Sequence, residues 1–218
     1  MRSLSLLAVG VLASAAHAGL AGNSQNYNDA SLDLFDNGFD NLDIGLVTMS
    51  DDGVNLTISV ETRGFQNWTK YMIYLDTAAG GTTSNAWGRP VNLTSEIEHY
   101  IGSWVDAPSD NAQLWSWGGS WNQTGTLTNT VSGNVVSWTM SLASLGLSGG
   151  ETIYFDIATS GGGNDPGVDH LSRSDLATSG WGEASTSGDF LAYQVSGVPA
   201  PGAIALLGLA GLAGRRRR

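Results

Sequence analysis

Val54-Asn55-Leu56-Thr57-Ile58-Ser59-Val60-Glu61 is the stretch that decides the fold. Its apolar residues, Val54, Leu56, Ile58 and Val60, fall at every second position, so on an extended chain they share one face. A helix would scatter the same set around its circumference. Just before it, Asp43 to Ser50 (DIGLVTMS) alternates partly and breaks at Asp51-Asp52-Gly53. Two β-rich runs joined by an Asp-Gly turn predict a hairpin.

The same punctuation recurs along the chain. Tyr71 to Leu75 is another strand, closed by Asp76-Thr77 and a Gly80-Gly81 turn. Further strands are expected at His99 to Val105, Ala112 to Trp117, Gly125 to Val131, Val135 to Ser141, Thr152 to Thr159 and Phe190 to Val195. Only Leu142 to Leu147 suggests a helical turn. The polar stretch Asn23 to Asn41 offers Leu32, Leu34, Phe35 and Phe39 as packing anchors. Strands spaced by roughly ten residues, with Gly, Asn and Asp between them, predict an all-β fold. The expected architecture is a single antiparallel β-sandwich with jelly-roll-like connections.

Both ends depart from this pattern. Arg2 supplies a small positive region, Leu4 to Ala13 an apolar one, and Ala16-His17-Ala18 an A-x-A cleavage site. Together they predict a secretory signal peptide over 1–18, with the mature chain starting at Gly19. At the other end, Val198-Pro199-Ala200-Pro201-Gly202 leads into the apolar run Ala203 to Gly214 and then Arg215-Arg216-Arg217-Arg218. The prolines leave an extended, protease-accessible segment. Twelve residues at about 1.5 Å each reach only ~18 Å as a helix, against a hydrocarbon core of roughly 30 Å. The arginines are costly to translocate and hold their end at the cytoplasmic face. Residues 198–218 therefore read as an address label in transient contact with the inner membrane, and 19–197 as the folded domain.

This tripartite tail resembles the PEP-CTERM sorting signal of Gram-negative bacteria, which joins a Pro-Glu-Pro motif, a hydrophobic segment and a basic cluster. Here the motif is Pro199-Ala200-Pro201, with Ala where Glu usually stands. The resemblance implies export, processing by an exosortase-type membrane peptidase, and a final place at the cell surface or in the extracellular matrix. It covers about a tenth of the chain and implies nothing about the exported domain.

Composition narrows what that domain does. Five of the nine basic residues sit in the two terminal segments, whereas all twenty acidic residues lie between them, so the central domain carries a formal charge of −16. Such a surface repels nucleic acid and anionic lipid and attracts cations. Cysteine is absent, which removes disulfides, thiol catalysis and thiolate metal sites. Eight tryptophans and a normal apolar fraction give the chain enough surface to bury.

A second resemblance rests on the order of short motifs. Tyr71-Met72-Ile73-Tyr74-Leu75-Asp76-Thr77 is followed by His99-Tyr100-Ile101-Gly102 and by Leu114-Trp115-Ser116-Trp117. Val136 to Leu147, with its Ser144-Leu145-Gly146-Leu147 ending, and Ile153-Tyr154-Phe155-Asp156 come next. The series resembles the carbohydrate-binding-module family nine and DOMON-like sandwiches, over about Asp40 to Val195. It implies a sandwich that recognises sugars. The strand ends Leu75-Asp76-Thr77-Ala78 without the family's second acidic position, so its ligand residues are not carried over.

The tryptophans are the main chemical clue. An indole stacks on the C–H face of a sugar ring while neighbouring Asn, Gln or Asp bind the hydroxyls. Trp115 and Trp117 are spaced i and i+2, so on a strand they face the same way, and Trp121 follows across Gly118-Gly119. These three are the candidate sugar platform; indoles packed under loops are the ordinary alternative. Trp138, between Val136 and Met140, is expected in the core. For calcium, Gly161 to Asp169 offers Asp165 and Asp169 together with carbonyls, and Asp36 to Asp43 is a second acidic loop. Neither has EF-hand spacing.

Catalysis has less support. His99 and the loop residue His170 stand without a Gly-x-Ser-x-Gly elbow. Glu96-Ile97-Glu98 puts two carboxylates on one side of a strand, faintly similar to laminarinase-type glycosidases, but Ile97 stands where those carry Asp. The sequence thus favours a non-catalytic polysaccharide-binding module. A matrix or adhesion protein without a glycan pocket is the second reading, and a glycosidase using Glu96 and Glu98 the third.

Overall fold

In the computed structural model, which describes residues 22–197, the alternating stretch is the second strand of a hairpin. The strands in chain order are β1 (Ser24–Asn28), β2 (Ile44–Asp51), β3 (Asn55–Thr62), β4 (Lys70–Asp76), β5 (Val91–Asn92), β6 (His99–Trp104) and β7 (Ala112–Trp117). They continue as β8 (Trp121–Leu127), β9 (Asn129–Ser132), β10 (Val135–Ser141), β11 (Thr152–Ser160), β12 (Asp169–His170), β13 (Ser185–Thr186) and β14 (Leu191–Gln194). The expectations on Ala16, Ala18, Pro199, Ala200, Pro201 and Arg215 to Arg218 lie outside the described residues. Among the described residues no helix is long and apolar enough to cross a membrane.

The β2–β3 turn is made by its aspartates. Asp51 Oδ1 accepts from Gly53 N at 2.9 Å, and Asp52 Oδ1 accepts from Val54 N and Asn55 N. Gly53 sits at φ 79°, where a side chain would strain the backbone. Leu56, Ile58 and Val60 point into the core as their spacing requires. Val54 does not: the strand begins one residue later, and Val54 stands 59 % exposed in the turn.

The fold is all-β, with two large antiparallel sheets. The first runs β1-β2-β3-β10-β9, and the second runs β12-β11-β4-β6-β7-β8, with β14 on the other half of the β11 edge. Their apolar faces form one core: Trp138 of β10 meets Tyr71 of β4 at 5.3 Å between ring centroids, and Tyr27 of β1 meets Phe155 of β11 at 4.9 Å. Trp138 is fully buried and donates from Nε1 to Ser103 Oγ of the opposite sheet at 2.8 Å.

One edge is joined covalently. The expected strand Gly125 to Val131 proves to be two, because the chain leaves the second sheet after Leu127 and enters the first at Asn129. Asn111 and Asn129, both buried, lock this corner by exchanging amide hydrogen bonds of 2.7 and 2.8 Å. At the other edge, Tyr27 Oη donates to Ala192 O and Asn23 Nδ2 donates to Gln194 O, tying the β1 segment to β14. The expected helical turn is a single 3₁₀ turn, Leu142–Leu145, capped by Ser141 and closed by Gly146 at φ 71°.

The outer face of the second sheet is covered too. Met72, Tyr74, Tyr100 and Ala158 pack under Val91, Leu93 and Ile97 of the long segment between β4 and β6. That segment carries β5, which pairs in parallel with β13.

Candidate functional site

The tryptophan face forms, but much of it is used internally. Trp115, Trp117 and Trp121 are each half-buried, on the outer side of β7 and β8. Trp117 stands opposite Trp121 with ring centroids 5.5 Å apart, edge to face. Trp115 Nε1 donates to Gln113 Oε1 at 3.2 Å, and Gln113 also accepts from Trp87 Nε1 at 2.9 Å. Trp121 Nε1 donates to Ser84 Oγ at 3.3 Å, on the covering segment. Trp121 thus holds that segment against the sheet, and Trp115 shares the Gln113 acceptor with the segment's own Trp87.

A groove opens at the same end of the second sheet. Tyr154, 48 % exposed, stands opposite Asp76 across the β11–β4 pair. It lines a cavity of ≈ 430 Å³ with Asp76, Gly80, Ser95 and Glu96, and an adjoining one of ≈ 360 Å³ with Asp76, Thr94, Asp189 and Phe190. Alternation along β11 explains the exposure: Ile153, Phe155 and Ile157 enter the core, so Tyr154 must face outward. Burial, reinforced by the charges of Glu98 and then Glu96, pushes the Asp76 carboxyl up to about 6. Glu98 does not share the groove's role with Glu96. Its Oε2 accepts from Thr77 N at 2.8 Å and Ala78 N at 3.1 Å, and so pins the turn after β4.

Sequence spacing gave no hint of a Ser–His–Asp arrangement, yet one is present. His170 Nδ1 lies 2.6 Å from Asp156 Oδ2, and Nε2 lies 3.1 Å from Ser185 Oγ. All three are fully buried, and Tyr74 stacks parallel to the imidazole. Ser185 Oγ also accepts from Gly167 N. Without solvent access the serine cannot meet a substrate; the three side chains join β11, β12 and β13.

Asp165 is not part of the acidic cluster that Asp169 joins among the described residues. The Asp165 carbonyl accepts from Arg89 Nη1 at 3.1 Å and from Ser160 Oγ, in the loop after β11. Asp169 instead meets Asp33 and Asp43, each offering a carboxylate oxygen within 4.8 Å of the others. Asp43 belongs to the second acidic loop, whose Asp36 serves a turn by accepting from Gly38 N. No family model matches the chain, and no curated protein matches it in sequence.

Proposed function

We propose that this chain is an exported domain that binds polysaccharide without cleaving it. The observation that carries the reading is the Tyr154 groove: an exposed aromatic ring, flanked by carboxylates and hydroxyls, in a cavity of ≈ 430 Å³. Tyrosine offers a face for the C–H side of a sugar, and Asp76, Ser95, Glu96 and Asp189 offer acceptors for its hydroxyls. Trp117 and Trp121 form a second aromatic surface on β7 and β8 of the same sheet. In this reading the two sheets are the layers of one β-sandwich with jelly-roll-like connections. The signal peptide and PEP-CTERM-like tail deliver the domain to an exosortase-type peptidase and then to the cell surface or matrix.

The test is retention of the purified chain on a panel of immobilised polysaccharides, wild type against Tyr154→Ala and Trp117→Ala. Loss of at least tenfold in affinity for Tyr154→Ala supports the groove. Loss confined to Trp117→Ala moves the site to the tryptophan face. No retention of folded protein on any glycan removes the reading. The raised Asp76 carboxyl in one cavity with Glu96 favours a hydrolase as the second reading, since glycoside hydrolysis uses an acid of this kind beside a carboxylate. Release of reducing sugar, abolished in Asp76→Asn, would establish it.

A further inference from the structure

The N-terminal segment delivers three aspartates to one spot. Asp29 follows β1, Asp33 lies in the loop beyond it, and Asp43 immediately precedes β2; Asp169, at the start of β12, reaches the same place from the second sheet. Asp43 is 1 % exposed and Asp169 3 % exposed.

Part of this charge is already answered. Asp43 Oδ2 accepts from Arg63 Nη1 at 2.8 Å and from Leu32 N at 3.0 Å. Asp169 Oδ2 accepts from Ile44 N at 2.7 Å and Oδ1 from His170 N at 2.8 Å. Asp29 Oδ1 accepts from Ala30 N at 2.8 Å. The remainder is not. Asp43 Oδ1, both oxygens of Asp33 and Asp29 Oδ2 are buried with no hydrogen-bond partner among the described residues. Leaving such oxygens dry and unpaired costs several kcal/mol as an order of magnitude, so native proteins keep few of them and a cluster of four needs an explanation. Four carboxylates face one guanidinium, and that imbalance needs a counter-charge.

Either protons or a cation can supply it. Protons would quench the charge, but they add donors only where an acceptor faces them. A hard cation can instead take one oxygen from each of Asp33, Asp43 and Asp169 at once.

The geometry points to a divalent-cation site of the calcium type, formed by Asp33, Asp43 and Asp169 with Asp29 beside them. The donors are oxygen only, which excludes the softer metals that seek imidazole or thiolate. An ion at ~2.4 Å from each oxygen fits a set whose members lie within 4.8 Å of one another. Calcium accepts a dry cage of protein carboxylates, whereas magnesium retains several waters. Asp169 can bind the ion while keeping its backbone donors, because each carboxylate oxygen has two lone pairs. The ion would fasten the N-terminal arm to the second sheet, a cross-link in a domain that has no disulfide.

The test uses the full chain, dialysed against chelator and titrated with CaCl₂ or MgCl₂, read by calorimetry and by thermal melting. The expected result is one Ca²⁺ per chain and a Tm rise of about 5–10 °C at a hundredfold excess over Kd. Asp33→Asn, at the least buried of the three clustered positions, should fold and lose at least tenfold in Ca²⁺ affinity; Asp43→Asn should lose more. A Tm indifferent to Ca²⁺ while Asp33→Asn melts higher than wild type would show that protons fill the site, and would overturn the proposal. A response to Mg²⁺ as large as that to Ca²⁺ would overturn the calcium assignment. Neither readout involves a glycan, so failure here is distinguishable from failure of the groove.

Discussion

Replacing Gly102 with alanine should cost more than its single methyl suggests. Gly102 lies in the middle of β6, hydrogen-bonded between β4 and β7, so its backbone cannot retreat. A Cβ there would fall well inside 3.0 Å of Trp87 Cε2 and Cζ2 and 2.8 Å from Nε1. The indole must therefore leave the sheet. It then loses its hydrogen bond to Gln113 Oε1, the Arg89 guanidinium 5.2 Å above its ring, an edge contact with Tyr100 and a tilted one with Trp104. Overpacking contributes about 1–3 kcal/mol, the hydrogen bond ~1 and the aromatic pair ~0.5–1.5, so the loss should be about 3–5 kcal/mol. Because Trp87 anchors the covering segment, Ser95 and Glu96 should also shift and glycan retention should fall. Urea denaturation measures the stability, and red-shifted tryptophan emission reports the released indole. Gly125→Ala is the control: its Cβ would meet Leu114 at an ordinary 3.6 Å. A Gly102→Ala loss below ~1 kcal/mol, or one matching the control, would refute the argument that Trp87 lies locked on the strand.

Two further predictions concern pH. The folded-state Asp76 value of about 6 lies above the ordinary 3.8, so the folded protein holds that proton more tightly than the unfolded chain does. Ionised Asp76 therefore costs stability above pH 6, and the cost fades as pH falls toward 4. Asp76→Asn should melt higher than wild type at pH 8 and equal to it near pH 4; a lower Tm at pH 8 would contradict this. Asp51 shifts the other way: burial raises it, but hydrogen bonds from Tyr193 and Ser196 outweigh burial and leave it below its usual range. Its contribution is present above pH ~4 and lost as pH falls through the lowered value. Tyr193→Phe should cost roughly 1.5–3 kcal/mol at pH 7, as for a hydrogen bond to a charged group. The gap from wild type should narrow in denaturation curves taken below pH 3, and a gap constant with pH would sink the assignment.

The hairpins were legible because alternation and turn chemistry agree: Leu56, Ile58 and Val60 point inward, and Asp51-Asp52-Gly53 makes the turn that its composition predicts. β1 was not legible, since in Ser24-Gln25-Asn26-Tyr27-Asn28 only Tyr27 is buried and periodicity has nothing to register. β5, β12 and β13 span two residues each and carry no period. The corner at Thr128 escaped for another reason: both its strands are largely exposed, and what fixes them is a pair of asparagines eighteen positions apart. At the candidate sites, spacing put Trp115 and Trp117 on one face, but did not reveal the hydrogen bonds of Trp115 to Gln113 and of Trp121 to Ser84. Asp169 was legible as an acidic loop residue. Its partners Asp33 and Asp43 were not, because a separation of more than one hundred and twenty residues between Asp43 and Asp169 leaves no local pattern.

The distribution of positive charge bears on which polysaccharide the groove suits. The described residues hold four basic side chains, and each faces an acceptor of its own chain. Arg63 binds Asp43 and Lys70 faces Asp106; Arg173 binds Asp175, while Arg89, buried, serves Ser160 and the carbonyls of Gly161 and Asp165. Around the groove stand Asp76, Glu96 and Asp189. An acidic glycan approaching that wall would meet like charge at every step, unscreened within a Debye length of ~8 Å at physiological ionic strength. A neutral chain pays no such penalty, and its hydroxyls are donors to the carboxylates that repel an anion. On the proposed binding role, the groove's carboxylates would therefore favour a neutral glycan over an acidic one.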